Sequence, residues 1–454
     1  MRSARADRGG VRDCWDAIVA GAGPAGAATA LHLARAGVRV LLLDRARFPR
    51  HKPCSEYLSP GTTALLARLG DGVLAAVEGA SPARISGMKV VAPGGAAMCG
   101  RFGGAPSFAL PRATFDAILL RAAERAGAVV RESTTVEDLV WDRGAVAGVI
   151  TRSGNVRRAT CNARIVVGAD GLRSVVARRL GLVRSSAPRR VAFTAHVADV
   201  AGVDGVGELH VGRHGYVGLG PVGGGVTTVA LVLPLRTVRA SGRTYGGPAG
   251  FFAALERFPG LAGRFDPRRL VRGVMATGPF AQWARTPIAA QGGALLVGDA
   301  ADFFDPFTGQ GIYAALRGAE LAAGCLLPAL ARGVLTPYPP LPQGVLTPCP
   351  PLPPGEGELA TSPLSGTERG SGGEDPLPAA ALVPYVRARR REFAGKWALE
   401  RLIGLGVGWP ALTDRVVSRL ARRQDLADLL VGATGNVVPA RRVLAPLALA
   451  RLLW

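Results

Sequence analysis

The pattern of apolar and polar positions is most telling near the start of the chain. An apolar run at 17–20 leads into Gly21, Gly23 and Gly26, then an alanine- and leucine-rich helical stretch, then a second apolar run at 38–43 that ends on Asp44. Short continuous apolar runs predict strands buried on both faces, with the helix packed against them. Each glycine has a steric reason. Gly21 permits the tight turn, Gly23 lets backbone approach a pyrophosphate, and Gly26 lets helix and strand pack closely. The helix N-terminus then faces the phosphates with free N–H groups and the positive end of its dipole, and Pro24 and Ala25 are expected cofactor contacts with the glycines. Asp44, followed by Arg45, is placed to accept both hydroxyls of an adenosine ribose. The complete strand–turn–helix–strand–acid unit predicts dinucleotide binding.

Further along, the period changes repeatedly. A helix is expected from Ser59 or Pro60, short strands with glycine turns at 84–110, and a helix over 112–126 that feeds a strand. Alternation from 127 to 168 predicts an antiparallel ribbon that returns to the parallel sheet at 165–167. Residues 188–235 are strand-like throughout, followed by a helix near 248–257 and a strand near 270–277. The run from 294 to 331 returns to strand–loop–helix. The fold class expected is therefore α/β. A Rossmann-like nucleotide domain with a parallel sheet and a β-ribbon (13–80, 112–187 and 291–332) is interrupted by a sheet-rich substrate domain (81–111 and 188–290), and a helical region (379–454) follows. Residues 1–12 read as a disordered basic tail. In 333–378, GVLTPYPPLP is repeated as GVLTPCPPLP before a Pro/Gly/Ser/Glu-rich run, and proline at that density continues neither a helix nor a central strand. A disordered surface insertion is expected there, and a proline-rich ligand for a partner domain is the competing reading.

Composition changes this picture little. With 454 residues and 48% hydrophobic content the chain is long enough for two domains or one elaborated domain. No uninterrupted apolar run reaches the roughly 18–20 residues that span a bilayer, and the basic N-terminus has no apolar segment behind it, so no secretory leader is expected. The formal charge of +22 would suit a polyanion, but lysine occurs only at 52, 89 and 396 and arginine is spread through the whole chain. A compositional bias explains that better than a nucleic-acid site. A basic surface would still favour peripheral contact with the inner face of a membrane. Six cysteines show no C-x-x-C pair or metal spacing, which fits a reducing cytoplasm and no metal.

Three further motifs extend the nucleotide site: RATFDAIL, with Arg112, Phe115, Asp116 and Leu119; GADGLRS, with Asp170 and Gly171; and GDAADFFDPFTGQGI, with Gly298, Asp299, Pro306, Gly309, Gln310 and Gly311. With the first glycine unit, and in this order, they resemble the p-hydroxybenzoate-hydroxylase-like flavoproteins, a superfamily that includes aromatic monooxygenases and geranylgeranyl-type reductases. The resemblance covers about residues 13–332. It implies FAD as cofactor and NAD(P)H as electron donor. The Gly21–Gly26 loop would take the pyrophosphate, Asp44 the ribose, Arg112 the phosphate or ribityl region, and Asp299 a ribityl hydroxyl. Asp170 and Gly171 belong to a motif linked with both FAD and NAD(P)H, and Arg45 and Val136 complete the expected cofactor contacts. A helix starting near Gly309 would point its N-terminus at the flavin edge that gains negative charge on reduction.

Cys54, Ser55 and Glu56 stand where geranylgeranyl-reductase-like members read C-G-E or C-G-G beside the flavin. Cys54 and Glu56 are the candidate catalytic residues, since a thiol or carboxylate there could move a proton near the reacting carbon. A capped loop with a buried cysteine explains them equally well. His196, His210, His214 and Tyr216 are candidates for a polar substrate end, although strand histidines are more often structural. The glycine-rich stretch from 215 to 232 leaves room for a long apolar ligand. QWARTPIA lacks the W-x-W-x-I-P pattern of flavin halogenases, so halogenation is not expected. The resulting expectation is an FAD-dependent oxidoreductase acting on a small apolar or aromatic molecule. The leading reaction is NAD(P)H-dependent hydroxylation, and the alternative is reduction of isolated alkenes in an isoprenoid or lipid. A non-catalytic binding protein on the same fold should lack Asp44, Arg112, Asp170 and Asp299, all present here. A plain NAD-linked dehydrogenase would explain only the first motif. Oligomeric state is left open.

Overall fold

A computed structural model describes residues 14–154, 157–187, 189–242, 244–331 and 375–453. The basic tail and the proline-rich repeats lie outside these described residues. The first sheet is organised around strand Cys14–Ala20. Val40–Leu43 and then Val129–Arg131 pair parallel on one side of it, and Arg157–Gly168 followed by Ala294–Leu296 on the other. The Arg157–Gly168 strand has two characters. Its polar first half pairs antiparallel with Ala145–Ser153, itself antiparallel to Thr134–Asp142, and its apolar second half enters the parallel sheet. The ribbon is thus a continuation of one sheet strand.

The apolar runs are buried on both faces. Ala17, Val19, Val40 and Leu42 face helices Pro24–Arg35, Arg112–Arg125 and Gly311–Ala331, while Ile18, Ala20, Leu41 and Leu43 face the ribbon. The Gly311–Ala331 helix is long and apolar enough to cross a membrane by length and composition, although it holds no uninterrupted apolar run of that length. Arg317 and Glu320 interrupt it, and its alanines and leucines pack in the core of this first domain.

The second sheet has seven strands in the order Leu270–Thr277, Arg190–Ala198, Val226–Pro234, Gly215–Gly223, Gly207–Gly212, Gly87–Val91, Ala97–Arg101. It is antiparallel except where Gly207–Gly212 meets Gly87–Val91. Helix Pro248–Leu255 covers one face through Phe251 and Leu255 on Ala195, Val229 and Leu231. The opposite face carries Ala192, Tyr216 and Val232. It is roofed by the C-terminal helices Ala379–Val407, Pro410–Ala421, Gln424–Thr434 and Pro446–Leu453 through Leu399, Val417, Leu420 and Val431. The long helix ties the two halves together. Near its start the Tyr385 hydroxyl donates to the Leu296 carbonyl (2.7 Å) and Arg389 pairs with Asp302, and its last turns lie over the second sheet.

Candidate functional site

The glycine loop is shaped by contacts that tolerate no side chain. Gly21 has φ +99°, and a Cβ there would overlap the Ala169 carbonyl; a Cβ on Gly26 would overlap the Gly21 carbonyl oxygen. Gly23 is different. Its missing Cβ faces open space bounded by the guanidinium groups of Arg50 (3.7 Å) and Arg112 (4.0 Å). Backbone N–H groups of the helix at Pro24–Arg35 and two cations therefore surround a gap of the kind a pyrophosphate fills. Asp44 is buried. Its carboxylate accepts the Ala22 and Ala46 N–H groups, both at 2.8 Å, so one oxygen braces the glycine loop and each keeps a lone pair for a ribose hydroxyl. Arg45 is exposed just beyond it, and Val136 is buried in the core with Leu41 and Leu43.

Arg112 is held by Asp116 one turn along the same helix, Nε to Oδ1 at 2.6 Å and Nη2 to Oδ2 at 2.7 Å, and Arg50 reaches Asp116 at 2.8 Å. Burial alone would lower the affinity of Arg112 for its proton, but Asp116 outweighs burial and raises it. Arg50 and Lys52 were not singled out from the sequence. Lys52 lies in the cavity wall, close to Gly171 and Asp299. Burial and then Arg112 depress its pKa, with Asp299 opposing them. Asp299 is half-buried, and desolvation pushes its carboxyl up, against the pull of Lys52 and Arg112. The sequence signal for both cations was RFPRHKPC, a basic loop shortly after Asp44.

Gly298 (φ +62°) packs on Ala25, and Gly309 is left-handed (φ +66°) with no room for a side chain beside the Tyr57 ring. Pro306 opens a single turn of 3-10 helix, and the long helix starts at Gly311 rather than Gly309. Gly309, Gly311 and Ile312 line the cavity, so the N-terminal turn of that helix borders it. The Gln310 side chain does something else. Its amide donates to the carbonyls of Ala433 (3.2 Å) and Thr434 (2.9 Å) and to Asn436 Oδ1 (3.2 Å), clamping the C-terminal region against the turn. Asp170 accepts the Val175 N–H at 2.6 Å, while its other oxygen is buried without a partner and burial raises its pKa. A buried acceptor in that state calls for a donor, and a ligand hydroxyl or amide would supply one. The cradle at Gly23, its two arginines and this orphaned acceptor fit a dinucleotide such as FAD.

The two candidate catalytic residues separate. Cys54 stands in the cavity wall with its thiol on the Arg112 guanidinium. Glu56 does not take part in the wall, which corrects its assignment as a proton carrier there. Its backbone is left-handed (φ +61°) and its side chain is fully buried under the second sheet. His196 Nε2 (2.6 Å) and the Thr228 hydroxyl (2.5 Å) donate to it, as does the Arg112 backbone N–H (3.0 Å), with Arg272 at 3.5 Å. Burial would raise its pKa, but the bonds from His196 and Thr228 lower it. Glu56 therefore fastens the cofactor loop to the substrate sheet. The histidines behave as strand histidines usually do: His196 serves Glu56, His210 is bonded to Glu208 (2.7 Å) and the Pro259 carbonyl, and His214 is exposed. Tyr216 lines the cavity, with its hydroxyl on Asp305 at 2.5 Å.

The cavity measures about 400 Å³. At one end are Lys52, Cys54, Asp299 and the Gly309–Gly311 turn. The floor is the second sheet, where Gly218 and Gly220 leave space that side chains would fill. The roof is aliphatic and comes from the C-terminal helices, including Leu402, Ile403, Val416, Leu430 and Leu449. Sequence reasoning placed no site residue on those helices. Trp283, in the segment compared with halogenases, lies outside this cavity.

Residues 15–331 match the family described as FAD binding domain. Relatives include the digeranylgeranylglycerophospholipid reductase 2 of Methanothermobacter thermautotrophicus, 30% identical over 70% of this chain and 79% of that one. Another is the conditioned medium factor receptor 1 of Dictyostelium discoideum, 27% identical over 69% of this chain, which spans just under two thirds (64%) of that longer protein. Among solved structures, the myxobacterial chondrochloren halogenase CndH is similar with a TM-score of 0.64 and 25% identity, covering 71% of this chain and 76% of that one. Matched motifs, a cradle shaped for a dinucleotide and an apolar chamber at its flavin end agree, and the chain belongs to the FAD binding domain family of flavin-dependent oxidoreductases.

Proposed function

We propose that this oxidoreductase reduces isolated double bonds in a long, isoprenoid-type apolar chain, using NAD(P)H as the electron donor. The observation that carries the reading is the aliphatic roof: a chamber of about 400 Å³ whose far wall is leucine, isoleucine and valine solvates hydrocarbon and offers little to a polar ring. The named relative that acts on a digeranylgeranyl lipid supports the same substrate class. This reverses the order of the two reactions expected from sequence.

Bound FAD, once reduced, supplies a hydride, and saturating the bond then takes one proton at the second carbon. Cys54 is the thiol in the wall at that end, and the Arg112 guanidinium against it orients it for proton delivery. Lys52 and the N-terminus of the Gly311–Ala331 helix provide positive potential where reduction deposits negative charge. Tyr57, Gly218 and Gly220 shape the passage, and the aliphatic roof keeps the chamber dry around an apolar chain.

Aromatic hydroxylation is the second reading, favoured by the rings near the same end. Tyr216 and Phe307 meet edge-on at 4.9 Å and Phe280 and Phe303 at 5.2 Å, a frame that would hold a flat substrate. Anaerobic incubation of the NADPH-reduced protein with a polyprenyl substrate distinguishes the two. A product heavier by one H₂ per double bond is expected. Turnover that needs oxygen and inserts an oxygen atom would replace this reading with hydroxylation. Failure of NADPH to bleach the flavin, with dithionite succeeding, would remove NAD(P)H as donor and leave the reductase.

A further inference from the structure

The roof of the cavity is also its doorway. Leu402 lines the chamber and is nevertheless 41% exposed, so the apolar interior reaches the surface on the C-terminal half of helix Ala379–Val407. Next to it in the chain, Leu405 is 70% and Trp409 64% exposed, and neither belongs to the cavity wall. Helix Pro446–Leu453 repeats the arrangement. Leu449 and Leu452 line the chamber, and Leu447 is 74% exposed. Two of the helices that build the roof therefore each present large apolar side chains to the outside. Scattered exposed leucines need no explanation, but large exposed apolar side chains on, or directly beside, the helices that line an apolar cavity do.

Charge narrows the choice of occupant. From Arg401 to the end of the chain there are eight arginines and three aspartates. Arg415, Arg422, Arg441, Arg442 and Arg451 are exposed, and the aspartates are engaged, Asp414 on the Gly94 N–H and Asp425 on Arg423 and Arg451. Leucine and tryptophan tips set among arginines suit the headgroup–acyl boundary of an anionic bilayer, where rings sit at the interface and arginines meet phosphates. The neighbours of the proline-rich segment lie elsewhere. Leu377 is bonded to the Arg164 carbonyl and Asp375 to Arg143, at the edge of the first sheet.

We infer that the exposed apolar tips of the C-terminal helices, Leu405, Trp409 and Leu447, seat the mouth of the cavity on an anionic lipid surface, from which a membrane-resident substrate enters without crossing water. The inference deepens the proposed reading and rests on it for the substrate, but not for the binding.

Flotation of the full-length FAD-loaded protein with vesicles tests it. Binding is expected to vesicles of phosphatidylcholine with phosphatidylglycerol, to weaken on phosphatidylcholine alone, and to weaken in high salt. The triple variant Leu405→Ser, Trp409→Ser, Leu447→Ser should lose roughly a hundredfold in partitioning, since each tip forfeits part of the burial worth of a large apolar side chain. Its flavin content and Tm should be unchanged, and so should its activity on a detergent-dispersed short-chain substrate. Vesicle binding equal to wild type in the triple variant would overturn the inference. So would a wild type that ignores vesicles but forms a concentration-dependent dimer abolished by the same changes, which would make the patch a contact between copies. If vesicles bind as expected but no prenyl substrate is reduced, the docking stands and the substrate reading falls.

Discussion

The cofactor end of the site and the substrate end are built by different means. Around the glycine loop the shape is made by backbone: Gly21 and Gly26 are where they are because carbonyl oxygens occupy the space a side chain would need, and Asp44 braces the turn through two N–H groups. The chamber is made by side chains from distant stretches, the 190–232 strands below and the 399–452 helices above. The first is intolerant and uniform, as binding one fixed cofactor requires. The second can change residue by residue, which is how one fold comes to serve different substrates. Substitutions should therefore have unequal effects in the two regions.

The largest effect is expected at Gly26. In Gly26→Ala the new methyl group meets a backbone carbonyl that cannot move without separating helix from strand, so a loss of about 3 kcal/mol or more is expected. The check is a fall in Tm together with colourless protein. A yellow variant with wild-type Tm would mean the loop is less tightly built than described. Next is Glu56→Ala, which leaves His196 and Arg272 beside an emptied buried site. Removing one partner of a buried charged cluster costs about 3–5 kcal/mol. Because Glu56 joins the two regions, its loss should destabilise both. If stability holds and only turnover falls, Glu56 carries a proton after all.

How much of this was legible in the sequence follows the same division. Where function is held by a contiguous turn, as at 21–26 or 309–311, spacing and residue type suffice, because the steric demand is local. Strand and helix positions were legible for the same reason. The helix expected from Ser59 or Pro60 begins at Pro60, with the Ser59 hydroxyl accepting the Thr62 N–H. The direction of Glu56 was not legible, since it depends on a left-handed backbone and on partners at 196, 228 and 272. Gln310 was read as a cofactor contact because it belongs to the GDAADFFDPFTGQGI motif, yet its amide serves carbonyls at 433 and 434. The role of the C-terminal helices was hidden most deeply. Their apolar stripes predict burial but do not name what is buried against them.

A smaller effect is expected at Lys52. Lys52→Met removes a buried ammonium whose proton affinity burial already depresses, so the fold should be unharmed and Tm equal or higher. The positive potential at the flavin end would weaken, and the midpoint potential of the bound cofactor should fall by a few tens of millivolts, read by equilibrium dye reduction. An unchanged potential would place Lys52 too far from the ring to matter.

The smallest effect, and the one that compares the regions most directly, is in pH. The carboxyls of the cofactor end, Asp170 and Asp299, are raised by desolvation above the ordinary 3.8. Glu56, on the loop that joins the two regions, is lowered by the bonds from His196 and Thr228 against its burial, and Glu208 of the substrate sheet is held down at about 2 by Arg264 and His210 against its burial. A raised carboxyl binds its proton more tightly folded than unfolded, so in FAD-free protein it contributes stability as pH falls through its folded value toward 3.8. A lowered carboxyl stabilises above the unfolded value of 4.5, and that contribution is lost as pH falls from there toward about 2. On mild acidification the FAD-free protein should hold or gain Tm, then lose it below about 4.5, and Glu208→Gln should flatten only that lower limb. FAD should suppress the upper limb, because Asp170 and Asp299 then face ligand hydroxyls that favour their charged forms. If both limbs respond to Glu208→Gln alike, the two regions do not titrate as separate environments, and the contrast between a backbone-built and a side-chain-built site does not extend to their electrostatics.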